Sequence, residues 1–114
     1  MDGKKVVFRK VLVDDIGRYK FYVQLVCLVK GIKLSNTQVL VLVNFIMRGY
    51  NKFIKEEMVS EGIVKNSSIM ANMLSDFRKV GIIEKNGGNE VLSKEFDFEF
   101  GKDLNVFQVI LKNE

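Results

Sequence analysis

Between Lys65 and Lys79 the chain places Asn66, Ser67, Ser68, Asn72 and Ser75, short hydrogen-bonding side chains flanked by two lysines. Amides and hydroxyls of this kind donate to and accept from base edges, and lysines meet phosphates. Asn72 is the candidate reader of adenine, whose edge offers a donor and an acceptor that match an amide. Ser67 and Ser68 are candidate phosphate contacts. A helix that begins there turns its free N–H groups and the positive end of its dipole toward an anion. Ala71 is small enough to permit close approach, and Lys85 adds a cation further on. The charge for this task is modest. From Lys65 to Lys94 the bases Lys65, Arg78, Lys79, Lys85 and Lys94 stand against the acids Asp76, Glu84 and Glu90.

Most other site chemistry is excluded by residue type. There is no histidine, which removes Ser-His and Cys-His catalysis and any histidine-bound metal. The single cysteine, Cys27, rules out an internal disulfide and a cysteine-based zinc site. It lies in the apolar run Leu25 to Val29 and reads as a small buried residue. Asn86-Gly87-Gly88 is too short for a phosphate-binding loop and precedes a strand. The acid pairs Asp14-Asp15 and Glu56-Glu57 are neighbours in sequence, and such neighbours do not face each other on a helix. The expectation is therefore no enzyme, no cofactor and no metal.

The elements that must position these residues follow from spacing and punctuation. A chain of 114 residues fits one domain. Lys4 to Val13 reads as a strand. Residues 18–29 carry two patterns at once. Tyr19, Phe21, Val23 and Leu25 alternate as in a strand, whereas Tyr19, Tyr22, Val23, Val26 and Val29 or Lys30 form a helical stripe. Helix is the preferred reading, with Asp14 or Asp15 as its cap and Gly31 as its end. Ser35-Asn36-Thr37-Gln38 is a capping box, opening a helix to about Arg48 with Val39, Leu42, Val43 and Ile46 inward. A short helix over 53–61 turns Ile54, Met58 and Val59 inward and stops at Gly62. The next helix starts at Asn66 or Ser67 and ends at Gly81. Its apolar face is Met70, Met73, Leu74 and Phe77. Ile82 to Lys85 is a strand, Asn86-Gly87-Gly88-Asn89 a turn, and Glu90 to Phe100 the returning strand, with Phe96, Phe98 and Phe100 alternating. The apolar tail Val106 to Leu111 packs on the chain's own core or makes a contact between protomers.

Three stretches in this order resemble the winged helix-turn-helix family, of the MarR-like prokaryotic or phage type, over residues 34–96. LSNTQVLVLVNFI resembles the opening helix, EEMVSEGI the second helix and its glycine turn, and SSIMANMLSDFRKVGIIEK the recognition helix running into the wing. Gly62 and Gly81 stand slightly further apart than the family pattern has them, implying a longer turn over 63–66. The resemblance implies an α+β fold, a three-helix core plus a β-hairpin wing at 34–114, with residues 1–33 as a strand and helix extension packed on it. It also implies a DNA-binding protein, with a role in transcription regulation, that contacts double-stranded DNA through the helix at 66–80.

Charge placement adds a second set of candidates. Residues 1–34 hold eight bases and three acids, while 35–114 are close to neutral. Lys4, Lys5, Arg9, Arg18 and Lys20 are therefore candidate phosphate contacts. The near-neutral helix face leaves an alternative, a protein-interaction module or an accessory component of a larger, phage-type assembly that does not bind DNA. No apolar stretch approaches the ~20 residues that span a bilayer, and the N-terminus does not read as a signal peptide. A cytoplasmic protein is expected, or a virion component under the alternative, with a homodimer or larger assembly as protein partner and no membrane.

Overall fold

The computed structural model describes residues 15–97. Among them are four helices and one antiparallel hairpin, an α+β arrangement: α1 (Asp15–Lys30), α2 (Asn36–Arg48), α3 (Lys52–Ser60), α4 (Ser67–Lys79), β1 (Ile83–Asn86) and β2 (Asn89–Leu92). The strand expected over 4–13, Phe98, Phe100 and the tail at 106–111 lie outside the described residues.

Residues 18–29 are helical. The inward stripe of α1 is Tyr19, Val23 and Cys27, each four residues from the next. Tyr22 and Val26 are partly buried beside it. Val29, one of the two alternatives for the end of the stripe, is 80% exposed. Cys27 is buried, as expected, and burial pushes its thiol pKa up, which leaves it protonated and unreactive.

The capping box at the start of α2 is formed in full. The Ser35 hydroxyl accepts the Gln38 N–H, and Gln38 Oε1 accepts the Ser35 N–H. The inward set is wider than the expected face. Val39, Val41, Leu42, Val43 and Phe45 are all buried, whereas Ile46 is only partly so. A helix covered on most sides has no single apolar stripe, and burial offsets the low propensity of its β-branched residues. α2 is the hub, packing against both α1 and α3; α3 in turn meets α4, and α4 meets β1.

Three of the four helices stop in the same way. Gly31, Gly62 and Gly81 have φ of 72°, 81° and 80°. Each donates its N–H to a carbonyl three residues back, and the isoleucine that follows donates to one five residues back. The pairs are Ile32 to Cys27, Ile63 to Met58 and Ile82 to Phe77. This is the Schellman motif, which satisfies the last carbonyls of a helix and brings the isoleucine over the final turn. Nothing lies within 4 Å of a Cβ built on Gly81, so only the backbone angle resists a side chain. Gly81→Ala is expected to lower stability by about 1–2 kcal/mol, the penalty of the left-handed region. Gly81→Asn should recover most of that loss in urea melts, since Asn tolerates that region. A clash-driven effect would instead make Asn worse than Ala.

The turn after Gly62 is long, and Val64, buried in it, fixes its path, while the Val64 N–H reaches Met58 O. In α4, Met70, Leu74 and Phe77 are buried and Met73 partly so, as the spacing predicts. The hairpin pairs Ile83 with Leu92 and Asn86 with Asn89 across Gly87-Gly88. Both glycines have positive φ, the requirement of a type I′ turn. The returning strand ends at Leu92, well short of Phe100. The Phe96 and Asp97 N–H groups turn back to Ser93 O, and Phe96 is fully buried in that turn. Its place in an alternating Phe pattern mimicked a strand; the core holds it instead as the plug of a turn.

Candidate nucleic-acid interface

Asn66 is the N-cap of α4, its Oδ1 accepting the Ile69 N–H at 2.9 Å. Its acceptor is thus used locally, and only the amide N–H₂ remains for a ligand. Lys65, Ser67 and Ser68 are exposed around this helix start. Ser68, Asn72, Ser75 and Lys79 then follow at i, i+4, i+7 and i+11, a stripe opposite Met70, Leu74 and Phe77. At 1.5 Å per residue the stripe is about 16 Å long. Asn72 and Lys79 are exposed and Ser75 is half-buried. Lys85, on the hairpin, is exposed and forms no ion pair among the described residues.

Of the five N-terminal candidates, Arg18 and Lys20 fall among the described residues. Lys4, Lys5 and Arg9 lie outside the described residues. Lys20 is half-buried. Arg18 is only 6% exposed, so it is not a solvent-facing phosphate contact. It sits within the folded chain rather than on the basic surface its charge suggested.

A polar cluster that spacing did not reveal borders the stripe. Glu90 accepts from Arg78 through both guanidinium Nε and Nη2, and from the Tyr50 hydroxyl at 3.0 Å. Lys55 Nζ lies 4.5 Å from the centre of the Tyr50 ring, and Tyr50 packs edge-on against Phe45. The cluster ties the loop between α2 and α3, the last turn of α4 and β2 into one piece. The Arg78 guanidinium, aided by Tyr50, holds the Glu90 carboxyl at about 2, far below its ordinary 4.5. Burial, then the neighbouring carboxylate, pushes the Tyr50 hydroxyl up to about 12. Burial also lowers the pKa of Lys55. The only foresight in the chain was weak: Glu90 falls directly opposite Lys85 in the hairpin register, yet its carboxylate turns to Arg78.

The electrostatic consequence is local. Arg78, the one arginine of α4, is neutralised by Glu90. On the other flank, Asp76 accepts from Gln38 Nε2 of α2 at 3.2 Å. Arg48 of α2 is held by Glu57 of α3 and by Glu61, which caps that helix. The cations left open around α4 and the hairpin are Lys65, Lys79 and Lys85, with Lys94 beyond β2.

No family model, curated protein or solved structure matches this chain. No helix among the described residues is long and apolar enough to cross a membrane. Nor do they contain a cluster of three or more Cys, Asp or Glu side chains that could hold a metal ion. What the geometry offers is a surface: a capped, open helix start, a stripe of small polar groups and three unpaired lysines.

Proposed function

We propose that this chain is a small winged-helix protein that binds double-stranded DNA through α4, with the hairpin as its wing, and acts in transcription regulation. The observation that carries this reading is the outward stripe Ser68–Asn72–Ser75–Lys79, backed by a fully apolar inner face and opening at the α4 N-terminus. Helix-turn-helix proteins bring the N-terminal residues of this helix to the bases. Lys65, Lys79 and Lys85 would take phosphates, and Asn72 a base edge.

Three phosphate contacts give a salt slope of about −2.7, so binding should weaken about 40-fold between 50 and 200 mM salt. Fluorescence anisotropy with mixed-sequence duplex DNA measures this directly. Asn72→Ala/Lys79→Ala should weaken binding and flatten the slope by about one unit. If the wild-type protein binds no duplex even at the lower salt, the reading fails.

Two observations favour a protein partner as the second reading. Arg78 is neutralised in place, and Phe53, at the start of α3, is 66% exposed. An apolar contact centred there would barely respond to salt, which separates it from DNA in the same titration.

A further inference from the structure

Along α1, Tyr22, Leu25, Val26 and Val29 line a groove of about 490 Å³, closed at one end by the ion pair of Lys30 with Glu95 at 2.6 Å. The Tyr22 hydroxyl donates to Glu95 O, fixing that wall. The face is apolar and open at Leu28 and Val29, which are 77% and 80% exposed. Apolar helix faces of this extent are rarely left to water.

We infer that the occupant of this groove is the C-terminal segment of the same chain, Val106–Leu111. The described chain ends at Asp97, two residues beyond the groove wall at Glu95. The eight residues that follow can reach about 26 Å when extended, more than the length of α1. Val106-Phe107-Gln108-Val109-Ile110-Leu111 contains no charged residue and matches the lining in character. The other segment of this chain, 4–13, carries Lys4, Lys5, Arg9 and Lys10 along its length and suits the groove poorly. It also joins α1 at the opposite end. There Arg18, on the same helical stripe as Tyr22, Leu25 and Val29, is already buried. A second copy is disfavoured by size. α1 has 16 residues, so its face is about 24 Å long and about 10 Å wide. That is on the order of 240 Å², against the ~800 Å² per partner of a stable interface. DNA binding by α4 plays no part here.

Cysteine pairing in the full chain tests this. In a Cys27→Ser background, Val29→Cys is combined with Val109→Cys or Ile110→Cys and gently oxidised. A disulfide within a monomer is expected from at least one pair. Preferential linkage of Val29→Cys to Val7→Cys would assign the groove to the N-terminal segment. A disulfide-linked dimer would assign it to a second copy, and no linkage from either tail position would empty it; each overturns the inference. Thermal melts give an independent reading. Val29→Asp and Ile110→Asp should each lower Tm by roughly 5–10 °C. The double substitution should lower it no further than the larger single, because both break one contact. Additive losses would overturn the inference as well.

Discussion

Phe77→Ala is expected to lower the free energy of unfolding by about 3–5 kcal/mol, in the range for a large ring deleted from a packed core. Phe77 is fully buried on the inner face of α4. Its carbonyl also accepts the Ile82 N–H that stops the helix and launches β1. The substitution therefore opens a cavity where α4 turns into the hairpin. A chain of this size has about 5–15 kcal/mol of stability in all, so the loss is a large share of it. Chemical denaturation with circular dichroism measures the effect. Asn72→Ala, on the outer face of the same helix, should stay within about 0.5 kcal/mol of wild type. If the two variants melt alike, the assignment of inner and outer faces is wrong.

Replacing Glu90 by Gln should produce an opposed pair of effects: a less stable protein and a more basic α4. The carboxylate is held at about 2 by Arg78 and Tyr50, so its charged form is favoured in the fold. The stability it contributes is fully present above the ordinary value of 4.5 and is lost as the pH falls toward 2. Arg78 is 45% exposed, and water screens the pair, so the contribution at neutral pH is about 1 kcal/mol. Wild type and Glu90→Gln should differ by that amount at pH 7 and converge near pH 2. On the alkaline side the Tyr50 hydroxyl, raised to about 12, favours the fold below pH 10. That contribution fades as the pH rises from 10 to 12, and Tyr50→Phe should abolish the fading. Glu90→Gln also frees the Arg78 guanidinium beside the α4 stripe. Under the DNA reading, duplex affinity should rise and the salt slope steepen by about 0.9. A Glu90→Gln protein with unchanged stability across this pH range would show that the cluster is merely solvated.

What could be read in the chain before folding was local. The capping box at Ser35 and Gln38, the spacing of Met70, Leu74 and Phe77, and the Asn86–Asn89 turn each depend on residues within a few positions of one another. All three are present as expected. Wherever tertiary packing decided the outcome, the pattern was misleading. α1 is apolar on several sides, which is why a strand pattern ran beside the preferred helical one and why the end of its stripe was ambiguous between Val29 and Lys30. α2 is enclosed, so its buried set has no clean period. Phe96 alternates like a strand residue because a core position and a strand face ask for the same side chain. Within the candidate site, exposure of the α4 stripe was legible from helical geometry. The burial of Arg18 and the capture of Arg78 by Glu90 were not. Those depend on what lies opposite, and for Glu90 and Tyr50 the partner is 40 residues away. The repeated Gly-Ile at 31–32, 62–63 and 81–82 was a signal in plain sight: glycine set the helix ends, and the isoleucines completed the motif.

The packing order has a kinetic consequence. The principal contacts join each element to its successor, from α1 through α2, α3 and α4 to β1 and β2. Helix ends are fixed by bonds spanning five residues or fewer. Little loop-closure entropy must be lost before any of these contacts forms, and chains of this kind fold quickly. As the chain emerges from synthesis, α1, α3 and α4 can each be stopped by a Gly-Ile of their own before the next element exists. The late events are the long closures, Glu90 onto Tyr50 and Glu95 onto Lys30 and Tyr22. Among the described residues, the hairpin and the segment after it are thus the last parts to lock onto the helices.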